Sequence, residues 1–133
     1  MTKSEHVQKL LYEAGVEGPY PAYFIFFNRQ QFYEAHDILE SLWLGERTGP
    51  NNNFYKALIQ LAGAFVHLQK GRVKPGLALF KLSRSYLEKY PGVHERLNVT
   101  KVLELIDSWI KRLETPQNSF DLGTVSLKLE ACA

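Results

Sequence analysis

Apolar residues recur every three or four positions along most of this chain, which is the spacing of one face of an α-helix. The pattern is clearest near the C-terminus, where one apolar face comprises Val99, Val102, Leu103, Ile106, Trp109, Ile110 and Leu113. Glycine and proline residues separate such segments from one another. We therefore predict helices over about 4–14, 29–44, 54–70, 75–90 and 99–113, with one or two helical turns at 21–27.

A short loop joins the segments 29–44 and 54–70, so they are expected to form an antiparallel helix pair. The second segment is apolar almost all round, which is typical of a central helix. The predicted fold class is therefore all-α. We expect a compact, single-domain bundle of about five helices over residues 1–133, built around this pair.

Turn-forming residues predict where the helices begin and end. Asn28 suits the N-cap of the first helix of the pair, and Asn53 suits the N-cap of the second. Gly71 is typical of a helix C-terminus, and Pro75 of the first turn of the next helix. After the last helix, apolar and polar residues partly alternate, so residues 116–133 are expected to form a partly extended tail packed on the bundle or on a partner.

The first helix of the pair carries one histidine and three carboxylates, His36, Glu34, Asp37 and Glu40. Such groups are costly to bury unless they are paired. A helical projection places His36 and Glu40 side by side at the edge of the apolar face. Tyr33 lies beside them, whereas Glu34 and Asp37 fall on the opposite side, towards solvent or a neighbouring loop.

The second helix of the pair has one narrow polar stripe, which consists of Lys56, Gln60, Gly63, His67 and Lys70. Glycine within a helix costs up to about 1 kcal/mol relative to alanine, and close approach of another helix would compensate for this cost. We therefore expect His36 and Glu40 to face Gln60 and His67 across a tight crossing. Trp43 is expected to anchor the end of the first helix in the core.

Two interpretations of this polar cluster follow. In the first, His36, Glu40, Gln60 and His67 form a buried hydrogen-bond network that fixes the helix register. In the second, two histidines and one carboxylate, His36, Glu40 and His67, bind zinc or iron, with open positions for a reaction. Metal-free acid–base catalysis by His36 and Glu40 is a third hypothesis, although no nucleophile accompanies them. The first interpretation is preferred, and it requires no cofactor.

The order of rare residues in this region resembles a bacterial family catalogued as domain of unknown function 309. The shared pattern is Phe-Asn, then Tyr/Phe-Glu-Ala-His-Asp/Glu, Leu-Glu and Leu-Trp over 27–43, followed by Leu-Ile-Gln at 58–60, His67, Gly71 and Gly76. The resemblance covers roughly residues 24–90 and implies an all-α fold with no established reaction. The chain departs from the family pattern at Gln30, where glycine is usual, at Asp37, where glutamate is usual, and at 56–57, where Gln-Gly is usual.

Composition narrows the functional classes. A net charge of +2 and a pI of about 8.6 are too mild to predict a nucleic-acid partner or an anionic membrane. The longest apolar runs fall short of the ~20 residues needed to span a bilayer. With Cys132 as the only cysteine, no internal disulfide can form, which favours a reducing compartment, and we expect a soluble cytoplasmic protein.

From the sequence we therefore expect a non-catalytic scaffold or an interaction and ligand-binding module. The alternative is a metal-dependent hydrolase or oxygenase that uses His36, Glu40 and His67. A homodimer through the last helix or the tail stays open, and the sequence identifies no other partner.

Overall fold

The computed structural model describes residues 2–45, 47–115 and 121–130. The described residues form six helices and one short antiparallel hairpin, α1 (Lys3–Ala14), α2 (Pro19–Asn28), α3 (Phe32–Gly45), α4 (Asn52–Gln69), α5 (Val73–Leu87), β1 (Val93–His94), β2 (Leu97–Asn98) and α6 (Val99–Glu114). The all-α prediction is confirmed. None of these helices is long and apolar enough to cross a membrane.

Helix α4 is the centre of the bundle. It packs against α3 on one side and α5 on the other, while α2 packs on α3 and α6 packs on α5. Aromatic rings fill the space between them, and the Phe65 ring on α4 contacts Phe32 of α3, Phe80 of α5 and Trp109 of α6. The predicted antiparallel pair α3–α4 is therefore present, and α5 is an equally close neighbour of α4.

Gly76 makes the close packing of α5 on α4 possible. A Cβ atom at Gly76 would lie 3.0 Å from Leu68 Cδ2 and 3.3 Å from the backbone oxygen of Ala64. These distances are shorter than ordinary van der Waals contacts, and the Ala64 oxygen belongs to the α4 backbone and cannot move aside on its own. A residue without a side chain is therefore required where these two helices meet.

α5 begins close to the predicted position but ends at Leu87, before the predicted end at Tyr90, and the predicted N-cap of α3 is wrong. Gly71 adopts a left-handed conformation directly after α4, and Pro75 lies in the first turn of α5, as predicted. Asn28, however, is the last residue of α2 and not the N-cap of α3, which begins at Phe32. The prediction of only one or two turns at 21–27 was also wrong, because α2 spans ten residues. Its almost uniformly apolar sequence lacks the periodicity that indicates a longer helix.

Two features of the C-terminal part depend on contacts between distant residues. The hairpin β1–β2 was not predicted, because its turn residues Glu95 and Arg96 are not typical turn formers. The predicted tail is extended over 121–130 and packs on the bundle, while the rest of the tail, 116–120 and 131–133, lies outside the described residues. Leu129 forms an isolated bridge with Leu97 of β2.

Candidate functional site

Gly63, the glycine of the polar stripe, lies where α4 contacts both α3 and α5. A Cβ atom at Gly63 would lie 3.9 Å from His36 Cδ2, and 3.3 Å from Leu79 Cδ1 of α5. Gln60 and His67 precede and follow Gly63 by three and four residues, so they lie on the same face of α4. We call His36, Gln60, Gly63 and His67 the crossing site. It is formed by α3 and α4, and α5 lies beside it.

The imidazole of His36 has a different partner from the one predicted. His36 Nδ1 lies 3.1 Å from Asp37 Oδ1, and the second oxygen, Asp37 Oδ2, lies 3.3 Å from His6 Nε2 of α1. The prediction that Glu40 pairs with His36 was therefore wrong, as was the placement of Asp37 towards solvent. A short aspartate next to a histidine can reach its Nδ1 by side-chain rotation, which a helical projection of Cβ positions does not show.

Glu40 binds α1 and not His36. Its carboxylate accepts a hydrogen bond from Lys3 Nζ of α1 at 2.6 Å. This hydrogen bond, together with the negative charge of Glu40, raises the pKa of Lys3 above its ordinary value. Both acidic residues that follow His36 on this side of α3 thus bind α1, Asp37 through His6 and Glu40 through Lys3.

The polar side chains of α4 have buried atoms without partners. Gln60 Oε1 and His67 Nδ1 are both shielded from solvent, and neither has a hydrogen-bond partner among the residues that the structure describes. They are seven residues apart, about 10 Å along the helix axis at ~1.5 Å per residue. Gly63 and the His36 ring lie between them along the axis.

Trp43, predicted as a core anchor, is only partly buried and packs against the core. Its Nε1 is a third buried polar atom without a partner within the described ranges. The guanidinium carbon of Arg47 lies 6.0 Å from the centre of the indole ring. Because Trp43 follows His36 by seven residues, its side chain lies on the same face of α3.

The remaining predicted supporting residues line the edges of this region. The Tyr33 ring is 58% exposed and lies nearly parallel to the His36 ring, with 6.5 Å between the ring centres. Glu34 lies in the first turn of α3 and is partly buried. At the other end of the stripe, Lys56 Nζ donates to Tyr86 Oη of α5 at 3.2 Å and lies 4.8 Å from the centre of that ring.

The predicted metal ligands do not converge. Over residues 2–45, 47–115 and 121–130, no three histidine, cysteine, aspartate or glutamate side chains form a group that could hold a metal ion. His36, Glu40 and His67 therefore form no such group, and the Glu40 carboxylate is bound to Lys3 of α1. The zinc or iron hypothesis stays a prediction without a preformed ligand set.

The contribution of α1 was not predicted from the sequence. Lys3 and His6 are three residues apart and therefore share one face of α1, which lies against α3. Their spacing was a signal that could have been used, because a basic face on α1 matches the acidic side of α3. The role of Tyr86 was not predicted either, since nothing in its local sequence distinguishes it from an ordinary half-buried tyrosine.

Comparison with known proteins agrees with the pattern of rare residues. No curated protein and no solved structure matches this chain. One family model does match, and its residues include the whole of α3 and α4 and therefore the crossing site. The resemblance predicted from the sequence is confirmed, because residues 20–79 match the model of the family described as Domain of unknown function (DUF309).

Proposed function

We propose that this protein is a non-catalytic binding module, and that the crossing site, extended by Tyr33 and Trp43, is where it binds a small polar ligand. The observation that carries the proposal is the pair of buried polar atoms without partners, Gln60 Oε1 and His67 Nδ1. Both lie on the face of the central helix that carries Gly63, and Gly63 lies beside the His36 ring.

Buried polar atoms without partners are uncommon in folded proteins, because each one costs about 1–3 kcal/mol. A residue chosen only for packing at these positions would be apolar, as are most residues of α4. A ligand that donates to Gln60 Oε1 and pairs with His67 Nδ1 would recover this cost on binding. The exposed ring of Tyr33 offers an adjacent surface for the apolar part of such a ligand.

The contacts of the acidic residues favour binding over catalysis. Asp37 and Glu40 are held by His6 and Lys3, so neither carboxylate is directed at a reacting group. The hydroxyl of Ser41 donates to the backbone oxygen of Ile38 and is not aligned with His36 as a nucleophile would be.

One observation favours the second candidate, a metal-dependent enzyme. The Nδ1 atom of His36 is oriented by Asp37, and metal-binding histidines are commonly oriented by a carboxylate in this way. In that case His36 and His67 would be two of the metal ligands. A third ligand would have to move towards the metal when the metal or its substrate binds. We retain this candidate because a direct measurement distinguishes it from the binding module.

Binding is tested by ligand-observed NMR with a set of small fragments, namely primary amides, carboxylates and phenols. The wild-type chain is compared with Gln60→Met and His67→Phe, and Gln8→Met on the exposed face of α1 is the matched control. We expect fragments that bind the wild type and the control but lose binding in Gln60→Met or in His67→Phe, according to which of the two atoms they contact. Equal binding to all four proteins would contradict the proposal.

The metal candidate is tested by elemental analysis of protein purified without a histidine tag, beside His36→Ala and His67→Ala. The binding module predicts no stoichiometric metal in any of the three proteins. One zinc or iron per chain in the wild type, lost in both variants while the helical content is retained, would favour the enzyme.

A further inference from the structure

The extended segment 121–130 is held in an unusual way. Three residues of the bundle each make two hydrogen bonds to the main chain of one residue in this segment, as a neighbouring β-strand would. The Asn28 carboxamide accepts from Leu127 N at 2.7 Å and donates to Leu127 O at 2.8 Å. The Gln30 carboxamide accepts from Val125 N at 3.0 Å and donates to Val125 O at 2.6 Å.

The third of these residues is Arg96, in the hairpin turn. Its backbone oxygen accepts from Glu130 N at 2.5 Å, and its Nε donates to Glu130 O at 2.8 Å. At the opposite end of the segment, Arg112 Nη2 donates to Asp121 O at 2.5 Å. Guanidinium groups therefore bind main-chain carbonyl oxygens at both ends of the segment.

Two of the three residues are in a strained conformation. Gln30 has a φ of 64° and Arg96 a φ of 62°, both in the left-handed region that favours glycine. A residue with a Cβ atom is disfavoured there by about 1–2 kcal/mol. Glycine would relieve the strain, but it would remove the side chains that bind the segment. The left-handed conformation of Arg96 is shared by Glu95 and belongs to the two-residue hairpin turn, and that of Gln30 follows the end of α2. The contacts with 121–130 explain why these two positions carry a long side chain in place of glycine.

The side chains of the segment alternate between groove and solvent. Val125 and Leu127 are 5% and 7% exposed, whereas the residues on either side of them are exposed. A cavity of about 230 Å³ lies beside Leu127, and Val102 and Leu105 of α6 are among its lining residues. The groove therefore takes the apolar side chains of the segment and leaves the polar ones in solvent.

We propose that the groove between Asn28, Gln30 and Arg96 is a binding site for an extended peptide of a partner protein, and that residues 121–130 occupy it as a competing segment of the same chain. The contacts are those of peptide recognition by strand addition: hydrogen bonds to the main chain, and pockets for alternate side chains. The partner segment would be extended, with branched apolar residues two positions apart where Val125 and Leu127 now lie. It would contain no proline at either of these positions, since both donate a backbone N–H.

Displacement is measured on the wild-type chain through its single cysteine. A thiol-reactive energy acceptor is attached to Cys132, and Trp43 and Trp109 serve as donors. The probe is a blocked peptide with the sequence of residues 121–130. We expect excess peptide to reduce energy transfer in a saturable way, while the same peptide with aspartate at both apolar positions has no effect.

Direct binding is measured with the full chain carrying Val125→Asp and Leu127→Asp, which releases its own segment. Because the wild-type segment competes at an effective concentration in the millimolar range, we expect the released chain to bind labelled peptide at least about tenfold more tightly than the wild type. Adding Asn28→Ala, which removes two hydrogen bonds to the peptide, should weaken that binding by about tenfold.

Several outcomes would overturn the proposal. One is a released chain that keeps its helical content and near-ultraviolet circular dichroism but does not bind the peptide. If the released chain does not fold, the energy-transfer experiment on the wild type tests the proposal instead. Energy transfer that stays constant up to millimolar peptide would then overturn it. Reciprocal exchange of residues 121–130 between two copies, seen as a dimer in sedimentation, would instead identify the occupant as a second copy.

Discussion

Replacing Gln60 by methionine is expected to stabilise the free protein, and this sign distinguishes a ligand site from a structural network. In a fully satisfied network, loss of the carboxamide would leave its partners unpaired and would cost about 1–3 kcal/mol. Here Gln60 Oε1 has no partner among the described residues, so the substitution removes a buried, unsatisfied acceptor.

The magnitude follows from the chemistry of this position. Removing an unsatisfied buried acceptor recovers about 1–3 kcal/mol, and methionine has nearly the same length and helix propensity as glutamine. Part of the gain is lost, because Gln60 as a whole is only partly buried. We therefore expect the free energy of unfolding to rise by about 1 kcal/mol, or the Tm by about 3 °C for a chain of this size.

Urea unfolding, followed by circular dichroism at constant m-value, measures this change. The control is Gln8→Met, the same substitution at an exposed helical position of α1, which should change the free energy of unfolding by less than about 0.5 kcal/mol. If Gln60→Met lowers stability by 1 kcal/mol or more relative to the control, the crossing site is a structural network and our reasoning fails.

Two further predictions concern packing and charge. Gly76→Ala should lower the free energy of unfolding by about 1 kcal/mol, since overpacking against the Ala64 backbone oxygen outweighs the gain in helix propensity. Gly63→Ala is its control: the only tight contact of the new Cβ is with the end of a flexible side chain, Leu79 Cδ1 at 3.3 Å, so urea unfolding should show equal or higher stability. Equal losses at both glycines would contradict the packing argument. Because hydrogen bonding to Glu40 raises the pKa of Lys3, that ion pair contributes its full stability below the unfolded pKa of about 10.4 and loses it as pH rises through the folded pKa. Unfolding measured between pH 9 and 12 should therefore show a decline that is smaller in Lys3→Met, and identical profiles would count against the pair.

The helices could be predicted because their pattern is local. In α6 the 3.6-residue spacing of apolar residues matches its buried face closely, with Val99, Val102, Ile106 and Trp109 buried. At α2 the same method failed on length, because a helix that is apolar on every side gives no periodic contrast. At Asn28 the predicted role as an N-cap was wrong, because its side chain instead binds the main chain of Leu127, ninety-nine residues away.

The candidate site shows the same division. Gly63 and its neighbours on α4 could be placed on one face from spacing alone, and so could the approach of His36. The partner of His36 could not be predicted from spacing. The choice between Asp37 and Glu40 depends on side-chain rotation and on α1, which supplies His6 and Lys3. Spacing identifies the face a residue occupies, whereas its hydrogen bonds depend on the elements that pack there.

The sequence by itself determined the helical class, the central position of α4 and the set of polar residues on the α3–α4 pair, since these follow from periodicity and burial cost within single segments. The tertiary structure decided which of those residues are satisfied and which are not. It also decided that the alternating tail lies along carboxamides from the end of α2 and a strained turn between β1 and β2. These contacts join residues that are far apart in the chain, and hydrogen-bond geometry of that kind is fixed only when the whole bundle has packed.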